Sequence, residues 1–285
     1  MKRAQIKPRC ALLHPLGRVF PHVALLISVG RAAGHEGSRP FLGEDGMAGF
    51  AFPVTRAAGI VRIDLGRPEE GNSLTRGMMR DLAEEIRKAG ADPENQVVVI
   101  EGRGAHFCKG RDGRGESTEG LRPHEVREQM MGAVLGVYAA IGACPIPVVS
   151  LVHAPAIGFG AALASGCDMT LATDQTTFAF SEVKHGIPPT LAMAAVMKKV
   201  PQKALYWLIF SGDNVSASEG VPMGLVSKIY PASSFKADTD AFLAELASRP
   251  RLVLETIKKF MTHAQDMSAA QQSEYAGTLL ALVRS

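Results

Sequence analysis

With 285 residues, 46% of them hydrophobic and 21% charged, the chain can bury a core and is too apolar to be a disordered polymer. Its net charge of +3 arises at one end: residues 1–46 hold seven Lys/Arg against three Asp/Glu, leaving 24 against 25 in the rest. That balance excludes a basic nucleic-acid face, and the lack of any run of about 18 apolar residues excludes a membrane-spanning helix.

Residues 1–46 read as a leader outside the fold. Lys2, Arg3, Lys7, Arg9, Arg18 and Arg31 precede the first acid, around a broken apolar patch at 23–30. This suits an organelle-targeting presequence. The favoured reading instead takes Met47 as the start of the folded chain and the leader as upstream sequence, which makes the protein cytoplasmic, with an organelle matrix as the alternative. Cys10, Cys108, Cys144 and Cys167 show neither CxxC pairing nor a His at ligand spacing. They read as reduced thiols, not as a disulfide frame or a zinc site.

The folded part opens with a strand over 61–65, a turn over 67–75 and a helix over 76–89 with Met78, Met79, Leu82 and Ile86 on one side. The segment 91–95 breaks that helix before a strand over 97–100. A polar loop over 110–123 carries five glycines or prolines and reads as mobile and exposed. A helix over 124–141, a strand over 147–152, a glycine turn, a short helix and a strand over 168–172 continue an α/β alternation. Beyond Phe178 the apolar spacing turns helical over 188–200, 201–210, 217–223, 238–248 and 252–264, with one more strand over 225–230. The chain thus reads as an α/β core at 47–200 followed by a helical region at 201–285.

Two segments carry the chemistry. PVVSLVHAPAIGFGAALASGCD (147–168) is an apolar strand, a Gly-spaced turn and a small-residue helix, whose N-terminus leaves backbone N–H groups unsatisfied. VVVIEG (97–102) followed by FCKGRD (107–112) repeats the arrangement. Two such turns, each offering a backbone donor, are what an oxyanion hole for a carbonyl group requires. Gly158-Phe159-Gly160 also invites a dinucleotide-binding reading, but Leu163 occupies the third glycine position and leaves that fingerprint incomplete.

With these motifs, from about Gly59 to Leu282, the chain resembles the crotonase superfamily of enoyl-CoA hydratases and isomerases. The resemblance implies an α/β fold of repeated ββα units with a helical C-terminal part that serves oligomerisation, as a homotrimer or hexamer. It implies an acyl-CoA thioester as substrate, with CoA entering as part of it and no further cofactor, metal, nucleic acid or membrane. The oxyanion donors implied are the amides of Arg111, after Gly110, and of Phe159, between Gly158 and Gly160. Asn72 and Leu74 resemble the adenine-side loop, and Lys109 or Arg114 would meet CoA phosphates. The family carries a further segment after the helix that reaches Ser285, including part of its acyl-CoA lid.

Glu182, in FAFSEVKHGIPP (178–189), matches the second catalytic glutamate of the hydratases, and its apolar neighbours predict a raised pKa. The first glutamate is missing: Ala162 stands there, beside Ala161. One carboxylate suffices to move a proton between C2 and C4, so the loss tilts the expectation toward an isomerase. A hydratase that recruits Asp112, Glu116 or Glu119 from the loop is one alternative, and a catalytically silent acyl-CoA binder is another. His106, His153 and His185 are further acid/base candidates with structural roles as the favoured reading.

Overall fold

The computed structural model describes residues 50–284 apart from Gly115, all within one compact unit. The leader reading of residues 1–46, Cys10 included, lies outside the described residues. Strands β1 (Val54–Ala57) and β2 (Ile60–Asp64) form an antiparallel hairpin. Its two turn residues, Ala58 and Gly59, both have positive φ (49° and 74°), the geometry whose twist matches paired strands. Helix α1 (Arg76–Ala91) starts at Thr75, whose Oγ1 accepts from the Met78 amide at 3.3 Å, and it buries Met79, Leu82 and Ile86. Strand β3 (Val97–Glu101) follows. The expected helix over 124–141 is interrupted: α2 (Pro123–Val126) runs through a π-helical turn at Arg127–Met131 into α3 (Gly132–Ala143).

Strand β4 (Val148–Val152), the short β5 (Ala156–Ile157), α4 (Phe159–Gly166) and β6 (Met169–Thr173) come next. Strand β7 (Thr177–Ala179) leads through a 3₁₀ turn at Ser181–His185 to α5 (Thr190–Val196) and α6 (Gln202–Ser211). The chain closes with β8 (Val215–Ser216), α7 (Ala217–Gly220), β9 (Lys228–Tyr230), α8 (Phe235–Ala247), α9 (Arg251–His263) and α10 (Ala269–Arg284). Helix α7 and strand β9 are shorter than expected because the segment between them turns at Gly224, which has φ +76°.

The main sheet has the order β1-β2-β3-β4-β6-β9, and every pairing after the first hairpin is parallel. Parallel strands are covered on both faces, which is why VVVI in β3 and all of β4 are apolar or fully buried. Alternate residues serve opposite faces. Val98, Ile100, Val148 and Val152 pack toward Leu82 and Ile86 of α1 and Val137 of α3. Val97, Val99, Val149 and Leu151 pack toward Phe235 and Leu243 of α8. Strand β9, drawn from beyond residue 200, completes this sheet, so the helical region and the core share one framework.

Lys258 of α9 is buried and ties this region to the core. Its ammonium donates to the carbonyls of Ile141 (2.9 Å) and Ile146 (3.0 Å) and pairs with Asp168 at 2.6 Å. Lys258→Met removes the charge, strands two carbonyls and leaves Asp168 only the Val148 amide (2.8 Å), so a loss of about 3 kcal/mol is expected in urea titration. A loss below about 1 kcal/mol would show that water replaces the ammonium there. Among the described residues, no helix is long and apolar enough to cross a membrane.

A second, three-stranded sheet of order β5-β7-β8 lies apart from the first. Its strands are two or three residues long, too short for periodicity to reveal, yet it positions the site. Parallel pairing of β5 with β7 sets Ile157 opposite Ala179, and the Gly158 amide donates to the Ala179 carbonyl at 2.8 Å. Whatever follows Ala179 is thereby delivered to the glycine turn.

Candidate active site

The first turn leaves β3 and passes Phe107 and Cys108, both fully buried. Gly110 has φ +114°, a conformation that L side chains rarely adopt. Leu74 then brackets the next residue: its amide donates to the Gly110 carbonyl (3.1 Å) and its carbonyl accepts from the Asp112 amide (2.8 Å). In such a parallel bridge the intervening residue, Arg111, turns its own N–H away from Leu74. That N–H has no acceptor among the described residues.

The second turn is built against the first. The Cys108 carbonyl accepts from the Ile157 amide at 2.9 Å. A Cβ on Gly160 would sit 2.1 Å from that carbonyl oxygen, so only glycine lets α4 approach so closely. A Cβ on Gly110 would lie 3.1 Å from the Ile157 carbonyl oxygen and 3.8 Å from the Phe159 nitrogen. Gly158 caps the helix at φ +55°, and the Phe159 N–H, like that of Arg111, has no acceptor among the described residues. Two unspent amides on abutting turns can hold an oxygen that gains negative charge.

Glu182 lies in the 3₁₀ turn that follows β7. Its carboxylate faces the same glycine: a Cβ on Gly158 would meet Oε1 at 3.1 Å and Oε2 at 3.9 Å. Oε2 is buried with no hydrogen-bond partner. Burial pushes the Glu182 pKa up, against smaller lowering effects of its own backbone amide and of His185. A desolvated carboxylate beside two unspent amides is equipped to take and return a proton.

No second carboxylate joins it in the helix. Ala162 and Ala161 are fully buried in the core. Two of the three loop acids are held in ion pairs, and within the mostly exposed loop Gly110 and Asp112 are buried. Asp112 is buried, pairs with Arg114 (2.6 Å) and Arg67 (3.5 Å), and is held below the usual carboxylate range, chiefly by its Arg114 hydrogen bond. Glu116 pairs with Arg76 (2.8 Å) and with the Arg111 guanidinium (3.3 Å), and Glu119 is exposed. The His153 ring contacts the Gly104 carbonyl at 2.8 Å, and burial lowers the His106 pKa, with the Lys109 charge adding to it. The Cys108 thiol, pushed up to about 12 by burial, is no thiolate nucleophile.

The residues expected around CoA sit on one side of the first turn. Asn72, fully buried at φ +56°, accepts from the Arg67 amide (3.0 Å) and donates to the carbonyls of Arg103 (2.9 Å) and His106 (2.8 Å). Its side chain is committed to bracing its own turn against the loop after β3. Leu74 is buried and contributes the bridge described above. Lys109 lays its aliphatic stem over Gly71, and its amide donates to the Gly71 carbonyl at 2.8 Å. Arg114 is exposed and chelates Asp112 through Nε (2.9 Å) and Nη2 (2.6 Å).

One residue escaped the sequence reading. Tyr138 of α3 stacks on the Phe159 ring (centroids 6.1 Å apart, planes at 24°), and its hydroxyl is buried without a partner. On a helix read only for apolar spacing, nothing singles it out. Among the described residues, no group of three or more His, Cys, Asp or Glu is gathered as a metal site. The strand entering the GFG turn is β5 of the small sheet, whereas a dinucleotide fold would use a strand of the main sheet.

Comparison with known proteins agrees with this geometry. A sequence model described as enoyl-CoA hydratase/isomerase matches residues 55–283. The chain is 27% identical to enoyl-CoA hydratase domain-containing protein 3, mitochondrial, of Rattus norvegicus, over 74% of this chain and 71% of that one. It is 26% identical to the mitochondrial Delta(3,5)-Delta(2,4)-dienoyl-CoA isomerase of Mus musculus, over 77% and 70%. The crystal structure of an enoyl-CoA hydratase from Mycobacterium smegmatis superposes with a TM-score of 0.76 at 25% identity, covering 81% of this chain and 90% of that one. The chain belongs to the enoyl-CoA hydratase/isomerase family of the crotonase superfamily, and is an enzyme of that type.

Proposed function

We propose that this enzyme shifts the double bond of an enoyl-CoA, with Glu182 as its one acid/base and the amides of Arg111 and Phe159 as the oxyanion hole. Glu182 takes a proton from C2 of a 3-enoyl thioester, and the two N–H groups hold the oxygen of the resulting enolate. The protonated Glu182 returns the proton at C4, leaving the conjugated 2-enoyl thioester with no net change in atoms or charge. The observation that carries this reading is a single desolvated carboxylate beside two unspent amides, with buried Ala162 where a second acid would stand. Hydration uses two groups to hold and activate one water, and of the loop acids that could supply another, Asp112 and Glu116 are tied up in ion pairs and Glu119 is exposed. A 3-enoyl-CoA is therefore expected to convert faster than crotonyl-CoA is hydrated, followed as growth of conjugated-thioester absorbance. Faster hydration of crotonyl-CoA would overturn the one-base mechanism.

CoA enters with the substrate, and the reading needs no other cofactor. Lys109 and Arg114 are proposed to meet its phosphates and the backbone of the 67–75 turn, with Asn72 and Leu74, to border the adenine. Lys109→Ala is expected to raise KM several-fold with little change in kcat, because a phosphate contact is equally strong in ground and transition states. An unchanged KM would remove Lys109 from the site. Assembly as a trimer or hexamer is supported by exposed apolar residues on the last two helices, Ile257 (56% exposed), Met261 (61%) and Leu280 (55%), and light scattering tests it. A cytoplasmic or organelle-matrix location is proposed; the rat and mouse relatives carry mitochondrial names.

A further inference from the structure

Among the buried side-chain atoms without a hydrogen-bond partner are the Tyr138 hydroxyl and Glu182 Oε2. Tyr138 packs against the apolar core, and its ring stacks on Phe159, the residue whose amide opens α4. The Tyr138 ring is thereby held beside the turn that carries this amide. A phenylalanine would fill the same place without stranding a hydroxyl away from water, so the group calls for an occupant.

The chemistry of the pair narrows what that occupant is. Burial first, then the negative charge of Glu182, keeps the phenol protonated, so Tyr138 is a donor and not a base. An anionic acceptor would be repelled by Glu182. A neutral hydroxyl fits best: it accepts from Tyr138 and gives its own hydrogen to Glu182 Oε2, completing both groups at once.

Resting on the acyl-CoA reading above, we infer that Tyr138 is a specificity-determining residue, whose hydroxyl donates to a hydroxyl group carried on the acyl chain of the thioester. A site built around a polar donor discriminates strongly against a ligand lacking the acceptor, since that ligand leaves the donor buried and bare.

The test measures binding by calorimetry of butyryl-CoA, 3-hydroxybutyryl-CoA and 4-hydroxybutyryl-CoA to wild type and to Tyr138→Phe. Wild type is expected to bind one hydroxylated ligand at least about tenfold more tightly than butyryl-CoA, a ratio that falls to near one in the variant. The conservative change keeps the ring stack, and a thermal melt checks folding. Tyr138→Leu serves as a second variant without a donor if the phenylalanine form fails to fold, and retention of the wild-type ratio in either variant overturns the inference. So does the absence of any preference in wild type. A Tyr138→Phe enzyme with unchanged binding ratios but slowed hydration of crotonyl-CoA would assign the hydroxyl to a bound water instead, and also overturns it. Because binding is read apart from turnover, a preserved ratio in an enzyme that fails to isomerise 3-enoyl-CoA would sink only the proposed reaction. If none of the three ligands binds, both readings fall.

Discussion

Glu182→Gln is expected to lower turnover by roughly 10²–10⁴-fold while changing acyl-CoA affinity little, since the amide keeps the shape and removes the base. The same substitution should act on stability in the opposite sense. A carboxyl whose pKa is raised on folding binds more protons in the folded than in the unfolded chain between the two values. Stability therefore falls as pH rises through that window, and the ionised group remains a cost at neutral pH. With burial raising the Glu182 pKa, the melting temperature of Glu182→Gln relative to wild type should climb as pH is taken from 4 to 8. In the wild-type enzyme, kcat/KM should drop on the acid side with an apparent pKa above the ordinary carboxylate range. Near-wild-type turnover of Glu182→Gln on 3-enoyl-CoA would remove Glu182 as the base.

Gly160→Ala is expected to cost about 10²–10³ in kcat and to lower the melting temperature. The new Cβ would fall 2.1 Å from the Cys108 carbonyl oxygen, an atom already fixed by its bond from the Ile157 amide at 2.9 Å. Backbone cannot swing aside as a side chain can, so the two turns must separate and the Arg111 and Phe159 amides move apart. Gly142→Ala in α3 is the matched control: its Cβ meets nothing within 4 Å, and alanine in a helix is worth about 0.5–1 kcal/mol over glycine. It should be active and slightly more stable. Undiminished kcat in Gly160→Ala would show that the spacing of the turns does not govern the rate.

The main sheet was legible because β3 and β4 are unbroken apolar runs, the pattern of strands covered on both faces. The two turns stood out through their glycines, and Glu182 through its match to the family's second glutamate, its apolar neighbours foretelling only the raised pKa. The small sheet was not, since β5, β7 and β8 hold two or three residues each and show no period. The π-helical turn at Arg127–Met131 was hidden because helical spacing persists across an extra backbone residue. Loop composition suggested mobility over 110–123, but composition cannot foresee that Asp112 and Glu116 would find Arg67, Arg76, Arg111 and Arg114. Asn72 read as part of the adenine-side loop; its left-handed backbone and the three side-chain bonds that brace the loop left no trace in the spacing. Tyr138 needed coordinates, because an unpartnered hydroxyl leaves no trace in spacing.

Placing the proposed oxyanion donors on the main chain separates what can drift from what cannot. The Arg111 guanidinium engages Glu116, and the Phe159 ring lies against Tyr138, so each side chain has a task away from its own amide. Lineages could exchange either side chain, altering loop anchoring or acyl-chain preference, while the electrostatics at the thioester oxygen stayed intact. Inheritance of the reaction would then be enforced at Gly110, Gly158 and Gly160, and diversification of substrate range would proceed one atom layer outward, on the same residues.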